Sequence, residues 1–142
     1  MQPALLDTSI YITALRAGHE SLLTLRRLTP QRPLWLSAVV VEELYAGASY
    51  KDRRAVERLE RDFERLQRIL VPTLSDWSQA GKVLSRLATE YGYEQIGRGR
   101  LTNDALIAMG AARLGITIIT ANERDFARLA QFRSFRYEVK TV

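Results

Sequence analysis

The sequence predicts an α/β fold, in which a central parallel sheet of about four to five strands is flanked by helices. Two observations predict it. Short apolar runs alternate with segments of helical periodicity, and the chain of 142 residues is 46% hydrophobic and 26% charged, as in a globular protein. Strands separated by helices pair in parallel, because each helix carries the chain back across the sheet. The length fits one domain, and we expect it to cover residues 1–142.

Five apolar runs have the composition of buried strands. They cover residues 3–7, 34–36, 69–73, 116–120 and 135–139. The fourth, ITIIT, gives the clearest signal because it is β-branched throughout. Pro72 places the third run near a sheet edge or a strand end, since proline has no N–H to donate to a neighbouring strand.

The segments between these runs carry helix signals. The predicted helices cover residues 10–17, 21–28, 38–47, 51–70, a segment after residue 75, 103–114 and 122–129. Ser9, Ser37, Ser75 and Thr102 are the predicted N-caps, because a hydroxyl oxygen accepts hydrogen bonds from the free N–H groups of a first turn. Gly115 is predicted to end the helix before ITIIT. Residues 91–100 have three glycines and no periodicity, which predicts a loop.

The helix at residues 51–70 is amphipathic. Its apolar positions are three and four residues apart, at Val56, Leu59, Phe63, Leu66 and Leu70. Its other face alternates in charge, with Arg53, Arg54, Arg58, Arg61 and Arg65 against Glu57, Glu60 and Glu64. Such a pattern is typical of a solvated face with local ion pairs. Binding of a partner or of RNA is the second interpretation.

Composition excludes several classes of site. The chain has no cysteine and one histidine, His19, which excludes thiolate zinc sites, cysteine nucleophiles and multi-histidine metal cages. A metal would therefore be held by oxygen, as Mg²⁺ or Mn²⁺ are. The net charge of +5 favours a polyanionic partner. No signal-like start or membrane-length apolar run is present, so we expect a cytoplasmic protein.

Polar and acidic residues follow the predicted strands, where parallel sheets bind ligands. The candidates are Asp7, Glu42, Glu43, Asp104, Asn122 and Asp125. Each one has a simpler explanation as a turn, cap or first-turn residue, so the prediction of an acidic cation site depends on the set. Helical periodicity leaves the two glutamates undecided, since each lies about 130° from the centre of the apolar face.

Three segments, LLDTSIYI, LSAVVVEELYAGA and LTNDALIAMGAARLGITIITANERDF, resemble in this order the motifs of PIN-domain ribonucleases, and more closely those of VapC toxins of type II toxin–antitoxin pairs. Together they span nearly the whole chain. The resemblance implies a single PIN domain and a Mg²⁺-dependent endoribonuclease, with Mn²⁺ as an alternative metal, that cleaves RNA phosphodiester bonds by metal-assisted hydrolysis.

The same resemblance assigns roles to individual residues. Asp7 and Asp104 match the direct metal ligands, and Glu43 and Asp125 match the supporting catalytic acids; the glutamate of the E-L-x-x-G pattern favours Glu43 over Glu42. Asn122 stands where some PIN domains have an acid, so either Asn122 or Asp125 completes the site. Further candidates are residues that could hydrogen-bond the carboxylates or water, and residues that could hold RNA phosphates. They are Thr8, Ser9, Thr120 and Asn122 for the former, and Arg98 and Arg100 for the latter.

Partners are also implied by the resemblance. They are a VapB-type antitoxin, a tRNA or rRNA substrate, and a second copy of the chain. Residues 10–12 and 44–45 are candidates for the antitoxin groove, although most of them must also build the core. The alternatives are a non-catalytic RNA- or protein-binding module and an aspartate-based phosphatase or receiver. Ser9 argues against a phosphatase, which would need a second acid two residues after Asp7.

Overall fold

The computed structural model describes residues 2–18, 29–94 and 100–140, and for residue 100 the backbone alone. It contains one five-stranded sheet in which every pairing is parallel. The strands are β1 (Ala4–Leu6), β2 (Leu34–Ser37), β3 (Ile69–Leu70), β4 (Thr117–Thr120) and β5 (Tyr137–Val139). The predicted α/β class and parallel sheet are confirmed.

Six helices in the described part of the chain flank this sheet. They are α1 (Thr8–Ala17), α2 (Ala38–Gly47), α3 (Arg53–Arg65), α4 (Leu74–Tyr91), α5 (Arg100–Leu114) and α6 (Glu123–Ala130). Helices α1 and α5 both pack against β4, and α2 contacts α1, α3 and α5. Among the described helices, none is both long enough and apolar enough to cross a membrane.

The strand order β3-β2-β1-β4-β5 reverses direction between β1 and β4. The chain moves outward in one direction from β1 to β3 and in the other from β4 to β5, so the helices that follow β1 and β4 diverge at this point. Such a switch point leaves a crevice at the carboxyl ends of the two strands, which is where open α/β sheets bind ligands. The fold thus places the ends of β1 and β4 at the predicted position of a site.

The core lies on both faces of the two central strands. Every residue of β1 and β4 is buried, which explains why their sequences read as continuous apolar or β-branched runs without alternation. Phe126 of α6 and Tyr11 of α1 are the largest of the fully buried side chains. Strand β3 is at one edge of the sheet, as Pro72 predicted.

Three predicted helix caps are wrong. Asp7 caps α1 in place of Ser9, because its backbone is extended and its carboxylate oxygen accepts the Ile10 N–H. Thr73 caps α4 in place of Ser75, in a reciprocal capping box with Asp76. Thr102 lies inside α5, which already begins at residue 100. The predicted cap Ser37 is confirmed. Asn122, predicted as the first residue of its helix, is the N-cap of α6.

Some predicted boundaries also differ. The helix predicted over 51–70 is shorter, at Arg53–Arg65, since Gln67 takes a left-handed conformation with φ 55° that ends the helix before β3. Strand β3 is only Ile69–Leu70. The helix predicted over residues 21–28, His19, and residues 95–99 of the predicted loop lie outside the described residues.

Gly115 and Gly81 form a matched pair for a stability test. Gly115 follows α5 with φ +66°, a conformation that glycine adopts without strain, whereas Gly81 lies on the exposed face of α4 with open space around it. We expect Gly115→Ala to lower the free energy of unfolding by about 1 kcal/mol. Gly81→Ala should raise it by about 0.5–1 kcal/mol through helix propensity. Urea denaturation measures both, and equal signs would contradict the assignment.

Candidate functional site

Asp7 lies directly after β1, at the crevice between β1 and β4, and its side chain is buried with the residue only 3% exposed. Its two carboxylate oxygens accept different hydroxyl groups. Ser9 Oγ donates to Oδ1 at 2.5 Å, and Thr120 Oγ1, at the end of β4, donates to Oδ2 at 2.6 Å. The second bond spans the switch point of the sheet. The carboxylate is therefore fixed in orientation by both strands' carboxyl ends.

Burial raises the pKa of the Asp7 carboxyl above its ordinary value of 3.8. The hydrogen bonds from Ser9, Thr120 and the Ile10 backbone act in the opposite direction but do not cancel the effect of burial. Burial raises the pKa because it removes water that would solvate the charged form. A carboxylate in this environment is a strong site for a cation, since a positive charge restores the solvation that burial removed.

Glu43 joins this region through α1. Thr8 Oγ1, in the first turn of α1, donates to Glu43 Oε1 at 2.6 Å, and the packing of α1 against α2 brings the two side chains together. Glu42, one residue earlier on α2, is exposed. The tertiary contact thus distinguishes the two glutamates that helical periodicity left undecided, and it is Glu43 that faces the residues following β1.

The turn after β4 carries the other predicted acid. The Asn122 backbone N–H donates to Thr120 Oγ1 at 2.8 Å, and Asn122 Nδ2 donates to Asp125 Oδ2 at 2.9 Å. Asn122 also caps α6, which is the simple structural role that the sequence allowed for it. Asp125 is partly buried in the first turn of α6. The pair is therefore one hydrogen-bonded step removed from Thr120 and the crevice.

Ser9 has a bridging role that the sequence did not reveal. Besides donating to the carboxylate of Asp7, its Oγ accepts the Ala121 backbone N–H at 3.2 Å. One hydroxyl thus ties α1 to the turn between β4 and α6. The sequence indicates Ser9 as a hydrogen-bond partner, but its link to Ala121 depends on the pairing of two strands that are over one hundred residues apart in the chain.

Asp104 belongs to α5, which packs against α2 and β4. The residue is buried, 7% exposed, and lies in the second turn of the helix. Because α5 ends just before β4 begins and runs back along the sheet, its first turns lie toward the carboxyl ends of the strands. Within residues 2–18, 29–94 and 100–140, no three acidic or histidine side chains form a group that could hold a metal ion.

A groove continues from this region between α1 and α2. Its volume is about 260 Å³, and Glu43 lines it together with Ile12, Leu15, Leu44 and Asp52. A larger cavity of about 670 Å³ lies beside β5, where Arg32, Arg136 and Glu138 line it, and none of the predicted site residues lines it. Arg98 and the side chain of Arg100 lie outside the described residues.

The model of the PIN domain family matches residues 4–131, which is most of the chain. The chain belongs to the PIN-domain family. The match covers β1 to α6, and so every residue placed in the site above. No protein with a curated description matches the sequence significantly.

Solved structures show the same fold. A DNA-bound VapBC complex from Salmonella typhimurium contains a chain that is 24% identical, with a TM-score of 0.68 and 98% of both chains covered. A VapBC2 complex from Rickettsia felis with promoter DNA has 23% identity and a TM-score of 0.64, covering 97% of this chain and 98% of the other. VapBC-1 from nontypeable Haemophilus influenzae has 24% identity and a TM-score of 0.60, with 96% of each chain covered.

PIN domains of VapC proteins are generally nucleases, and PIN-domain nucleases generally use divalent metal ions. The side chains at the crevice fit such an ion by their chemistry. The four predicted acids Asp7, Glu43, Asp104 and Asp125 have only oxygen donors, although no three acids of the described residues form an ion-binding group; the buried carboxylate of Asp7 is the one at the crevice whose solvation is incomplete. Oxygen donors select hard cations such as Mg²⁺ and Mn²⁺ over softer metals.

Proposed function

We propose that this PIN domain is the toxin of a type II toxin–antitoxin pair and acts as a Mg²⁺-dependent endoribonuclease. The observation that carries the proposal is the buried carboxylate of Asp7 at the switch point, held by hydroxyl groups from both sides of the crevice. Family membership supplies the reaction class, and the basic net charge of +5 agrees with a polyanionic substrate.

In this proposal Asp7 and Asp104 would hold the metal ion. When bound, the ion would neutralise charge on the scissile phosphate and make water a better nucleophile. Ser9 and Thr120 keep the Asp7 carboxylate in one orientation, so that little reorganisation accompanies binding. Their hydroxyl groups donate to the same oxygens that would bind the cation, which makes them positioning groups.

Glu43 would accept the proton of the attacking water. Its Oε1 already accepts from Thr8, which fixes the carboxylate on the side of α2 that faces α1 and leaves Oε2 for a second partner. Asp125 would support the site from the β4 side, where Asn122 holds its carboxylate. With these groups no histidine is needed for acid–base chemistry, and His19 has no part in the proposal.

A VapB-type antitoxin is the proposed protein partner, because the solved structures with the same fold are VapBC complexes. The groove beside Glu43 would be its binding surface. Of the residues predicted for that surface, Ile12 and Tyr45 are partly exposed, whereas Ile10, Tyr11 and Leu44 are buried in the core. Homodimerisation, and a tRNA or rRNA substrate, remain predictions.

A pair of adjacent glutamates gives the sharpest test of the proposed function. We expect Glu43→Gln to reduce cleavage of total tRNA or rRNA by about 10–100-fold, because a group that orients or activates water is lost. Glu42→Gln, on the same helix but exposed, should leave cleavage unchanged. The measurement is single-turnover cleavage by purified, antitoxin-free protein in Mg²⁺.

Metal removal completes the experiment. EDTA should abolish cleavage by the native chain, and addition of Mg²⁺ or Mn²⁺ in excess should restore it. Cleavage that persists in EDTA would overturn the metal-dependent mechanism. Intact RNA under every condition, from a folded protein that binds RNA, would favour the non-catalytic binding module. Equal losses in the two glutamine variants would remove Glu43 from the site.

A further inference from the structure

The exposed face of α3 carries four arginines in a single row. Arg54, Arg58, Arg61 and Arg65, called here the arginine stripe, are all exposed. They are four, three and four residues apart, so at 3.6 residues per turn they lie within about 60° of one another around the helix axis. With a rise of 1.5 Å per residue, the stripe is about 16 Å long.

The row places like charges next to one another along the helix. On a solvated helix, neighbours at i,i+3 and i,i+4 are usually of opposite charge and stabilise it. Within the arginine stripe successive members are neighbours of like charge, which is unfavourable, whereas Glu57, Glu64 and Asp62 stand three or four residues from these arginines on the two flanks of the row. The ion pair that the structure describes on α3 joins Arg53 to Glu57, outside the stripe, at 3.6 Å. The Glu60 carboxylate accepts a hydrogen bond from the Tyr45 hydroxyl on α2.

The acids of α3 are mostly on one flank. When the position of Arg54 around the helix axis is set to 0°, three acids lie at about 240–300°, namely Glu57, Glu60 and Glu64. Asp62 lies at about 80°, on the other flank of the stripe. The centre of the stripe therefore presents positive charge alone. Arginine also differs from lysine in offering a planar group of several donors, which suits phosphate oxygens.

The stripe begins close to the proposed active site. Asp52, the residue before α3, lines the same groove of about 260 Å³ as Glu43. Tyr50 and Lys51, in the turn that leads into α3, are exposed, Tyr50 at 93%. A chain of phosphates that leaves the groove at Asp52 would meet Lys51 and then the arginines in sequence.

We propose that the arginine stripe of α3 binds the phosphate backbone of the RNA substrate beyond the cleavage site. This inference rests on the proposed ribonuclease function and identifies the surface that holds the substrate. One strand of B-form DNA carries a phosphate about every 3.4 Å along its axis, so a stripe about 16 Å long is long enough to contact several successive phosphates of a nucleic-acid strand. Contacts of this kind position the substrate and raise its affinity but carry no sequence information.

The test compares two variants that remove the same charge. One is Arg54→Gln/Arg58→Gln/Arg61→Gln, and the other is Lys82→Gln/Arg133→Gln/Arg136→Gln, at exposed cations on other elements. Binding of a fluorescein-labelled single-stranded RNA of about 20 nucleotides is measured in EDTA over a range of KCl concentrations, so that no cleavage is needed. Circular dichroism establishes that both variants are folded.

The stripe variant should bind at least about 10-fold more weakly at 150 mM KCl. Its plot of log affinity against log salt should lose about 2 from its slope, since each phosphate contact on a single strand contributes about 0.7. The control variant should change affinity by less than about 2-fold. Where Mg²⁺-supported cleavage is measured, the stripe variant should raise KM and leave kcat unchanged.

Equal weakening in the two variants would overturn the proposal, because net charge alone would then explain it. Unchanged RNA binding in the stripe variant would overturn it too, and if that variant had instead lost binding of a polyglutamate peptide, the surface would belong to an acidic protein segment. The binding result is independent of cleavage. If the stripe variant loses RNA binding and the native chain does not cleave RNA, the result supports the stripe as an RNA-binding surface and counts only against the nuclease function. If the native chain cleaves RNA and the stripe variant has an unchanged KM, the result supports the nuclease function and counts against the stripe.

Discussion

Replacing Asp7 by asparagine is expected to abolish RNA cleavage and, at the same time, to stabilise the metal-free protein. The loss of activity should exceed about 100-fold, because outer-shell partners of a metal site already contribute 10–100-fold. The gain in the free energy of unfolding should be on the order of 1 kcal/mol, as for other functional sites that are built at the expense of stability. Opposite effects on activity and stability distinguish a binding group from a structural one.

The stabilisation follows from the pKa of Asp7. Burial raises it above 3.8, so the folded protein binds this proton more tightly than the unfolded chain does. The resulting stability is fully present below pH about 3.8 and is lost as the pH rises through the folded pKa. At neutral pH the charged carboxylate is therefore unfavourable in the metal-free protein. Asparagine resembles the neutral form and does not carry this cost.

Asparagine also preserves the other task of the residue. Asp7 caps α1 by accepting the Ile10 N–H at 3.4 Å, and the amide oxygen of asparagine is an equally good cap. Asp7→Ala serves as the control, since it removes the charge and the helix cap together. Its free energy of unfolding should be about 1 kcal/mol lower than that of Asp7→Asn. In EDTA, the stability advantage of Asp7→Asn over the native chain should grow between pH 4 and pH 7.

Thermal denaturation with added Mg²⁺ gives a further reading that does not depend on activity. A cation that binds only the folded state raises its stability by mass action, so the native chain should melt at a higher temperature in Mg²⁺. The Asp7→Asn variant should show little of this shift. An Asp7→Asn protein that is less stable than the native chain in EDTA, or that still cleaves RNA, would show that the carboxylate is not a cation ligand.

The fold could be predicted from local patterns because its central strands are buried on both faces. Continuous apolar runs such as residues 116–120 are then strong signals, and the fixed handedness of strand–helix–strand units leaves few ways to connect them. The caps were less predictable, since several hydroxyl residues stand near each helix start. For α4 the decisive signal was Thr73 with Asp76 three residues later, which forms a capping box where Ser75 has no such partner.

The sequence predicted which residues are candidates for the site but not how their side chains are arranged in space. A polar residue directly after a buried strand lies at the carboxyl edge, so Asp7 could be found from the sequence. The choice between Glu42 and Glu43 could not be made from periodicity, because it depends on α1 packing against α2 and on Thr8 reaching Glu43. The bond from Thr120 to Asp7 likewise joins residues 113 positions apart, through the pairing of β1 with β4.

The second large effect is expected at Arg113, in the last turn of α5. Its guanidinium donates to both oxygens of Asp76 on α4, with Nε–Oδ1 and Nη2–Oδ2 distances of 3.0 Å. The Asp76 side chain is only 3% exposed, whereas Arg113 is 34% exposed. Removing the arginine therefore leaves a buried charge without its main partner.

Arg113→Gln should lower the free energy of unfolding by about 2–3 kcal/mol, below the 3–5 kcal/mol typical of fully buried pairs because Arg113 is partly in water. Arg53→Gln is the matched control. Its pair with Glu57 is 3.6 Å long and exposed on both sides, so its loss should change stability by less than about 0.5 kcal/mol. Urea denaturation of both variants at pH 7 measures the difference.

The pH dependence identifies the cause of the loss at Arg113. Burial alone would raise the pKa of Asp76, but hydrogen bonds from Arg113 and the Thr73 backbone, with the charge of Arg113, hold it below 3.8. A lowered folded pKa gives stability that is present above pH about 3.8 and is lost as the pH falls through the folded value. The native chain and Arg113→Gln should therefore differ most at neutral pH and converge as the pH falls through the folded pKa of Asp76. A stability difference that does not change with pH would assign the effect of Arg113→Gln to packing. An unchanged kcat in the folded variant would show that the Arg113–Asp76 pair supports α5 without shaping the site at Asp104.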